Sequence, residues 1–348
     1  GGAGEGGGVP LARSARPGMV DMRDHGPHPT VAAASTMSYT ASDGLRLHFS
    51  AGRQKDRLAG GAGGPAVVCL HGWSGSRRYF DHLLAPLADA GCNVFAPDLR
   101  AHGDSADCGG HGMHVARLAA DLREFLELLQ VSFPACGSEK FTLVGTSMGC
   151  AVIWSYLELF GEDLVRSLVL VDQAPLQNRE DPLGGAWQLG STGCYDSETL
   201  RALGAALQYA PAGGNRVPRA FADGNAEACF SQTTPWMEAH PEVLELLASE
   251  TLRCSPAALL ALMADHTRLD WRPLLPRVRV PAWNCVGVKS KIFPWEGVAW
   301  VGDAMPRGRN VLFEQGGHWL YLEEPERFAE VVLEAASHLD APARPAAG

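Results

Sequence analysis

Apolar residues recur along this chain in two alternating rhythms. Short unbroken runs appear at Ala66-Val67-Val68-Cys69-Leu70, Asn93-Val94-Phe95-Ala96, Phe141-Thr142-Leu143-Val144, Ser167-Leu168-Val169-Leu170-Val171, Pro281-Ala282-Trp283-Asn284-Cys285-Val286 and Asn310-Val311-Leu312-Phe313. Runs this short and this continuous predict strands buried on both faces. Between them the apolar positions take helical spacing. Tyr79–Ala90, ending at Gly91, His114–Leu129 with Leu118, Leu122, Phe125 and Leu129 on one face, Cys150–Phe160 and Glu326–His338 all predict helices. Tyr39–Ser50 alternates about Asp43-Gly44 and predicts a hairpin. Strands alternating with helices imply an α/β fold: a mostly parallel central sheet covered by helices on both faces. Chemistry in such sheets gathers at the C-terminal ends of the strands.

One region breaks the alternation. Residues 173–269 hold helical patterns, Ser197–Leu207, Glu242–Leu252 and Pro256–Asp265, but no buried strand, and Pro241 suits the first turn of the second helix. The expected organisation is a core of residues 37–172 and 270–340, with 173–269 as a helical lid leaving the sheet at its chemical edge. Residues 1–36 and 341–348 are rich in Gly, Ala, Pro and Arg without periodicity and are expected to be disordered. The first stretch opens on Gly rather than Met, as a fragment would. It has a faint likeness to a transit peptide and lacks the apolar centre of a secretory signal. A cytoplasmic location is expected, with organelle targeting left open.

Composition narrows the partners. The chain has 348 residues, 46% hydrophobic and 20% charged, with a formal net charge of −10. That is enough apolar material for a large core, and the acidic balance disfavours nucleic acid and anionic membranes as partners. No run reaches membrane-spanning length. Nine cysteines stand singly, without a C-x-x-C pair, so they read as free thiols in a reducing compartment and give no support to a zinc site. The expected partner is a small-molecule substrate; nothing in the chain speaks to oligomeric state.

The candidate chemistry centres on Gly145-Thr146-Ser147-Met148-Gly149, set between a predicted strand and a predicted helix. A serine at such a turn is held in a strained conformation that needs small neighbours, here Gly145 and Gly149. Its hydroxyl needs a base. His318 in Gln315-Gly316-Gly317-His318-Trp319 follows the last strand and is the candidate; His25, His28, His48, His240, His266 and His338 read as surface or packing residues. The oxyanion of acyl transfer needs two donors. The N–H of Met148 is one. The N–H of Trp73, in His71-Gly72-Trp73-Ser74-Gly75, is the second. The Trp73 side chain is expected to line the pocket, and His71 to brace neighbouring loops. Trp187, Tyr195, Phe230, Trp236 and Met237 would supply an apolar lid surface, although core packing explains them equally well. Trp73, Trp187 and Trp236 are the expected substrate contacts.

With these motifs in order, the chain resembles the lid-bearing branch of the α/β-hydrolase superfamily, with its esterase-like and haloperoxidase-like members. The matching stretches are Leu70–Trp73, Asp98–Ser105, Gly145–Gly149, Leu170–Pro175 and Gly317–Pro325, and together they span about Ser38 to Leu339. The resemblance implies a serine nucleophile, a histidine base, a two-amide oxyanion hole and no cofactor. It also implies a catalytic Asp three residues after a glycine that follows the predicted strand at 281–286. Here Gly287 is followed at that distance by Ser290. Some relatives carry the acid at the end of the preceding sheet strand, which in this chain is Asp172, the expected catalytic acid beside Ser147 and His318. An Asp there also serves, in relatives with the usual acid, to hold the base of the lid. Glu296 and Asp303 fall in an expected surface helix, and Asp98 and Asp104 in a structural loop. The expected function is a serine hydrolase acting on a small to medium carboxylic ester, thioester or lactone. The alternatives are a non-catalytic ligand receptor on the same fold, a perhydrolase or haloperoxidase-like activity, and carbon–carbon bond hydrolysis. Ser147 disfavours dehalogenase and epoxide-hydrolase chemistry, which need a carboxylate nucleophile.

Overall fold

The computed structural model describes residues 35–52, 63–105, 111–133, 140–178, 196–208, 216–228 and 234–338. One sheet organises them, in the strand order β1-β2-β4-β3-β5-β6-β7-β8. Strands β1 (Ser35–Thr40) and β2 (Arg46–Gly52) form the expected antiparallel hairpin, and β2 runs antiparallel to β4 (Asn93–Pro97). From β4 onward every pairing is parallel: β3 (Ala66–Leu70), β5 (Phe141–Thr146), β6 (Val165–Val171), β7 (Ala282–Gly287) and β8 (Gly308–Phe313). Strands β3, β5 and β7 are buried along their whole length, as their unbroken apolar runs require. β1 begins at Ser35, so the last two residues of the stretch expected to be disordered are strand; Thr36 pairs with Ser50. The rest of that stretch, and the tail from Ala341, lie outside the described residues.

Helices α1 (Asp81–Asp89), α2 (Val115–Ser132), α3 (Met148–Phe160), α9 (Trp295–Ala304) and α11 (Pro325–Ser337) cover the sheet. Right-handed crossovers decide the faces. The step from β3 to β4 moves one way across the sheet, and the steps from β4 to β5, β5 to β6 and β7 to β8 move the other way. Helix α1 therefore lies on one face, where it packs with α11, and α2, α3 and α9 lie on the opposite face.

Among the described residues between β6 and β7 stand the α-helices α4 (Ser197–Gln208), α5 (Arg219–Ala228), α6 (Thr234–Ala239), α7 (Pro241–Arg253) and α8 (Pro256–His266). The two ends of this insertion meet. Leu176 bridges Asp270, and the Trp271 N–H donates to the Pro175 carbonyl at 3.0 Å. Helices α5 and α6 were not visible in the sequence pattern. Helix α5 carries Asp223, Gly224 and Asn225, all weak helix formers, and α6 is six residues with a proline. Packing of α5 on α7, with Ala222 and Ala226 buried, outweighs that local preference. Among the described residues no single helix is long and apolar enough to cross a membrane.

Candidate active site

The nucleophile candidate, the imidazole and two further side chains come from the ends of four neighbouring strands. Ser147 follows β5, Asp172 follows β6, Ser290 lies three residues past β7, and His318 lies in the loop between β8 and the short helix α10 (Leu320–Glu323). Parallel pairing aligns these ends: Thr146 sits opposite Val171, Val171 opposite Cys285, and Gly287 opposite Phe313.

Ser147 caps α3 with φ of 51° and ψ of −122°, a backbone conformation that costs a side-chain-bearing residue about 1–3 kcal/mol. Two contacts hold it there. The Ser147 N–H donates to the Val171 carbonyl at 2.9 Å, and the Ser147 carbonyl accepts from the Cys150 N–H at 2.8 Å. The turn also needs its glycines: a Cβ on Gly149 would sit 2.4 Å from the Leu70 carbonyl oxygen, and one on Gly145 2.8 Å from the Cys150 nitrogen. The result is a half-buried serine at the N-terminus of a helix, where the Met148 N–H has no intrahelical acceptor.

Asp172 also has positive φ, 44°, and its side chain is fully buried. Its backbone N–H donates to the Cys285 carbonyl at 3.0 Å. His318 Nδ1 donates to Asp172 Oδ2 across 2.7 Å, and Ser290 Oγ stands 2.6 Å from the same oxygen. The Gly287 N–H donates to Oδ1 at 3.2 Å. A buried carboxylate surrounded by three donors is hydrogen-bonded as burial demands. With Nδ1 committed to Asp172, the imidazole has Nε2 left to accept a proton.

Several tethers carry His318 to this place. The Val288 N–H donates to the Phe313 carbonyl at 3.1 Å and the Lys289 N–H to the Gly316 carbonyl at 3.0 Å, joining the loops after β7 and β8. The Gly317 N–H donates to the Glu323 carboxylate at 2.5 Å. Gly287 permits the close approach, since a Cβ there would lie 2.3 Å from the Gly317 carbonyl oxygen. The rings of Phe293 and Trp319 flank the imidazole at 5.8 and 5.2 Å.

The loop after β3 faces this group. A Cβ on its Gly72 would stand 3.0 Å from Ser147 Cβ. His71 accepts the Leu99 N–H on Nε2 at 2.9 Å and donates from Nδ1 to the Gly72 carbonyl at 2.8 Å, so it braces two loops as expected. Burial holds its pKa well below the usual histidine value. His102 does the same for the next turn. Its Nε2 accepts from the Ser74 N–H at 3.3 Å, its Nδ1 donates to the Arg100 carbonyl at 2.9 Å, and burial pushes its pKa down to about 4. Arg77 is ion-paired with buried Asp98 and with Asp104, fixing the Asp98–Ser105 loop. The insertion grips the segment after β3. Trp73 Nε1 donates to the Leu259 carbonyl at 2.8 Å, Asn225 Nδ2 donates to Ser74 Oγ at 3.1 Å, and Arg78 pairs with buried Glu250 at 2.9 Å.

A model described as the alpha/beta hydrolase family matches residues 67–331. The chain belongs to that family. Its relatives include named hydrolases. It is 27% identical over 282 residues to the pimeloyl-[acyl-carrier protein] methyl ester esterase of Neisseria meningitidis, covering 80% of this chain and 95% of that one. It is 24% identical over 314 residues to epoxide hydrolase A of Mycobacterium tuberculosis, covering 81% and 93%. The bromoperoxidase of Bacillus anthracis superposes with a TM-score of 0.71 at 20% identity, covering 84% of this chain and 96% of its own, and shares the fold.

Within this alpha/beta hydrolase, the structure brings Asp172 to His318 and adds Ser290, whose contact with a carboxylate from another strand no local pattern encodes. Ser290 was singled out in the sequence by its position; Ser74, Arg77 and His102, which fix the loops around the site, were given no role there. Trp73 is buried, its indole packed edge-on against Phe221 of α5 at 6.2 Å. Trp236 is half-buried on α6 with its ring 4.5 Å from that of His240. Trp187, Tyr195 and Phe230 lie outside the described residues. Glu296 and Asp303 are exposed on α9, as expected of solvated charges.

Proposed function

We propose that this alpha/beta hydrolase is a serine hydrolase that cleaves a small to medium carboxylic ester, thioester or lactone through an acyl-enzyme. The observation that carries this reading is the 2.7 Å hydrogen bond between His318 Nδ1 and Asp172 Oδ2. It supplies the ionised partner that the serine at position 290 would otherwise leave missing. Ser147 Oγ attacks the carbonyl carbon while its proton passes to His318 Nε2. Asp172 orients the ring and stabilises the imidazolium that forms. The N–H groups of Trp73 and Met148 hold the oxyanion. The tetrahedral intermediate collapses, the C–O or C–S bond breaks, and the leaving group takes the proton from His318. Water then attacks the acyl-enzyme with His318 again as base, releasing the acid and restoring Ser147. The methyl ester named for the Neisseria relative supports an ester substrate. Residues 173–269 are read as the lid over this site, with Trp73 and Trp236 offering apolar surface to the acyl group.

The test is covalent. A fluorophosphonate probe should label the wild type, Ser147→Ala should abolish labelling, and turnover of p-nitrophenyl esters should fall with it. A wild type that neither labels nor turns over any ester, thioester or lactone would turn the reading toward a receptor.

A further inference from the structure

Ser290 stands where the usual acid is absent, yet it is not idle. A hydroxyl has one proton to give. The lone pairs of Ser290 Oγ face two donors, the backbone N–H groups of Ile292 and Phe293 at 3.3 and 3.4 Å. An ionised carboxylate can only accept. The Ser290 proton is therefore directed at Asp172 Oδ2, 2.6 Å away, the oxygen that also receives His318 Nδ1. The turn that presents the hydroxyl is itself fixed. The Ser290 N–H donates to the Gly287 carbonyl at 3.0 Å, and Phe293, fully buried, anchors the downstream end. Asp172 thus meets Ser290 and His318 on one oxygen and the Gly287 N–H on the other. Among the described residues, removing the hydroxyl leaves the buried carboxylate with the imidazole on Oδ2 and the Gly287 N–H on Oδ1, one tie fewer on the oxygen that faces the ring.

We infer that Ser290 is a positioning residue: its hydroxyl donates to Asp172 Oδ2 and holds the carboxylate against His318, and it acts on the reaction only through Asp172. The inference rests on the acyl-transfer reading above. A hydroxyl that merely capped the turn at 290–293 would affect folding, and its effect on rate would not depend on the carboxylate.

The experiment is a double-mutant cycle on steady-state hydrolysis of a p-nitrophenyl ester, with the melting temperature of each variant measured alongside. Ser290→Ala should lower kcat about tenfold with KM unchanged, as loss of a hydrogen bond to a charged group does. Ser290→Thr, which keeps the hydroxyl, should stay within about threefold of wild type. In the Asp172→Asn background Ser290→Ala should change the rate less than about twofold, because the two residues act as a unit. Ser290→Cys, close in volume but a weak donor, serves in place of Ser290→Ala if that variant does not fold, with the same expectation. Unchanged kcat in Ser290→Ala, or an equal loss in both backgrounds, overturns the inference. Failure of the fluorophosphonate to label wild-type Ser147 sinks the acyl-transfer reading instead, so the two failures are distinguishable.

Discussion

Asp172 Oδ2 and His318 Nδ1 lie 2.7 Å apart although 146 positions separate them in the chain. The carboxylate comes from the end of β6, the strand beside that of Ser147, and the imidazole from the loop after β8. The position past β7, between them in the sheet, contributes a hydroxyl that bonds to the carboxylate.

If this carboxylate serves the imidazole, Asp172→Asn should keep the geometry and lose the charge. The acylation rate should fall by about 10³–10⁴, with a far smaller change in KM. Stopped-flow acylation with a circular dichroism spectrum of the folded variant decides it. A rate near wild type would return Asp172 to the role of holding the lid's base.

Position 290 should accept the acid in exchange. Combining Asp172→Asn with Ser290→Asp places a carboxylate on the same side of His318, one bond longer than the hydroxyl it replaces. The pair should run at least about tenfold faster than Asp172→Asn alone, since an ionised partner again faces the ring. Steady-state ester turnover of the two variants is the comparison.

Stability should fall in acid below about pH 6.5, through buried histidines. Burial pushes His102 down to about 4 and His266 down to about 3, each from an ordinary value of 6.5. The unfolded chain takes up protons first as pH drops, so folding is penalised from about 6.5 down to the folded values, and the full contribution is present above 6.5. For His102 this amounts to about 3 kcal/mol by pH 4. Urea unfolding midpoints should be flat above about pH 7 and decline below about 6.5. Among the described residues His266 has no hydrogen-bond partner on either ring nitrogen. His266→Leu should therefore flatten the decline without loss of stability at pH 8; an unchanged acid slope would rule out its titration as a source.

Arg77→Met tests the loop that shapes the site from behind. Asp98 is 1% exposed and takes Arg77 as its ion-pair partner, with the Arg77 and Asp104 N–H groups at 2.8 Å each. Removing the guanidinium leaves a buried carboxylate short of its countercharge, a loss of about 3–5 kcal/mol. Chemical denaturation measures it, and a loss below about 1 kcal/mol would show the backbone donors to be sufficient.

The strands and most helices were legible because burial imposes period and length on them locally: five residues from Ala66 to Leu70 read as a doubly buried strand whatever surrounds them. The turn at Ser147 was legible for a related reason, since a strained serine between a strand and a helix needs glycines at fixed offsets. Helices α5 and α6 were not, because packing on α7 rather than their own residues stabilises them. The hairpin strand β1 reached further back, to Ser35, because cross-strand pairing with Ala51 extends it beyond any local signal.

For the site, the amino-acid order alone singled out the candidate groups: a serine at the elbow, an imidazole in a glycine-flanked loop, and a hydroxyl at position 290 where an acid is usual. It left the imidazole's carboxylate open between a catalytic and a lid-holding role, because a side chain's partner across strands is not encoded by spacing along the chain. Tertiary structure decided that contact. Sheet order sets β6, β7 and β8 side by side, Gly287 lets the loop at Gly317 approach, and the buried oxygen of Asp172 then takes its hydrogen bonds from the donors that packing brings within reach.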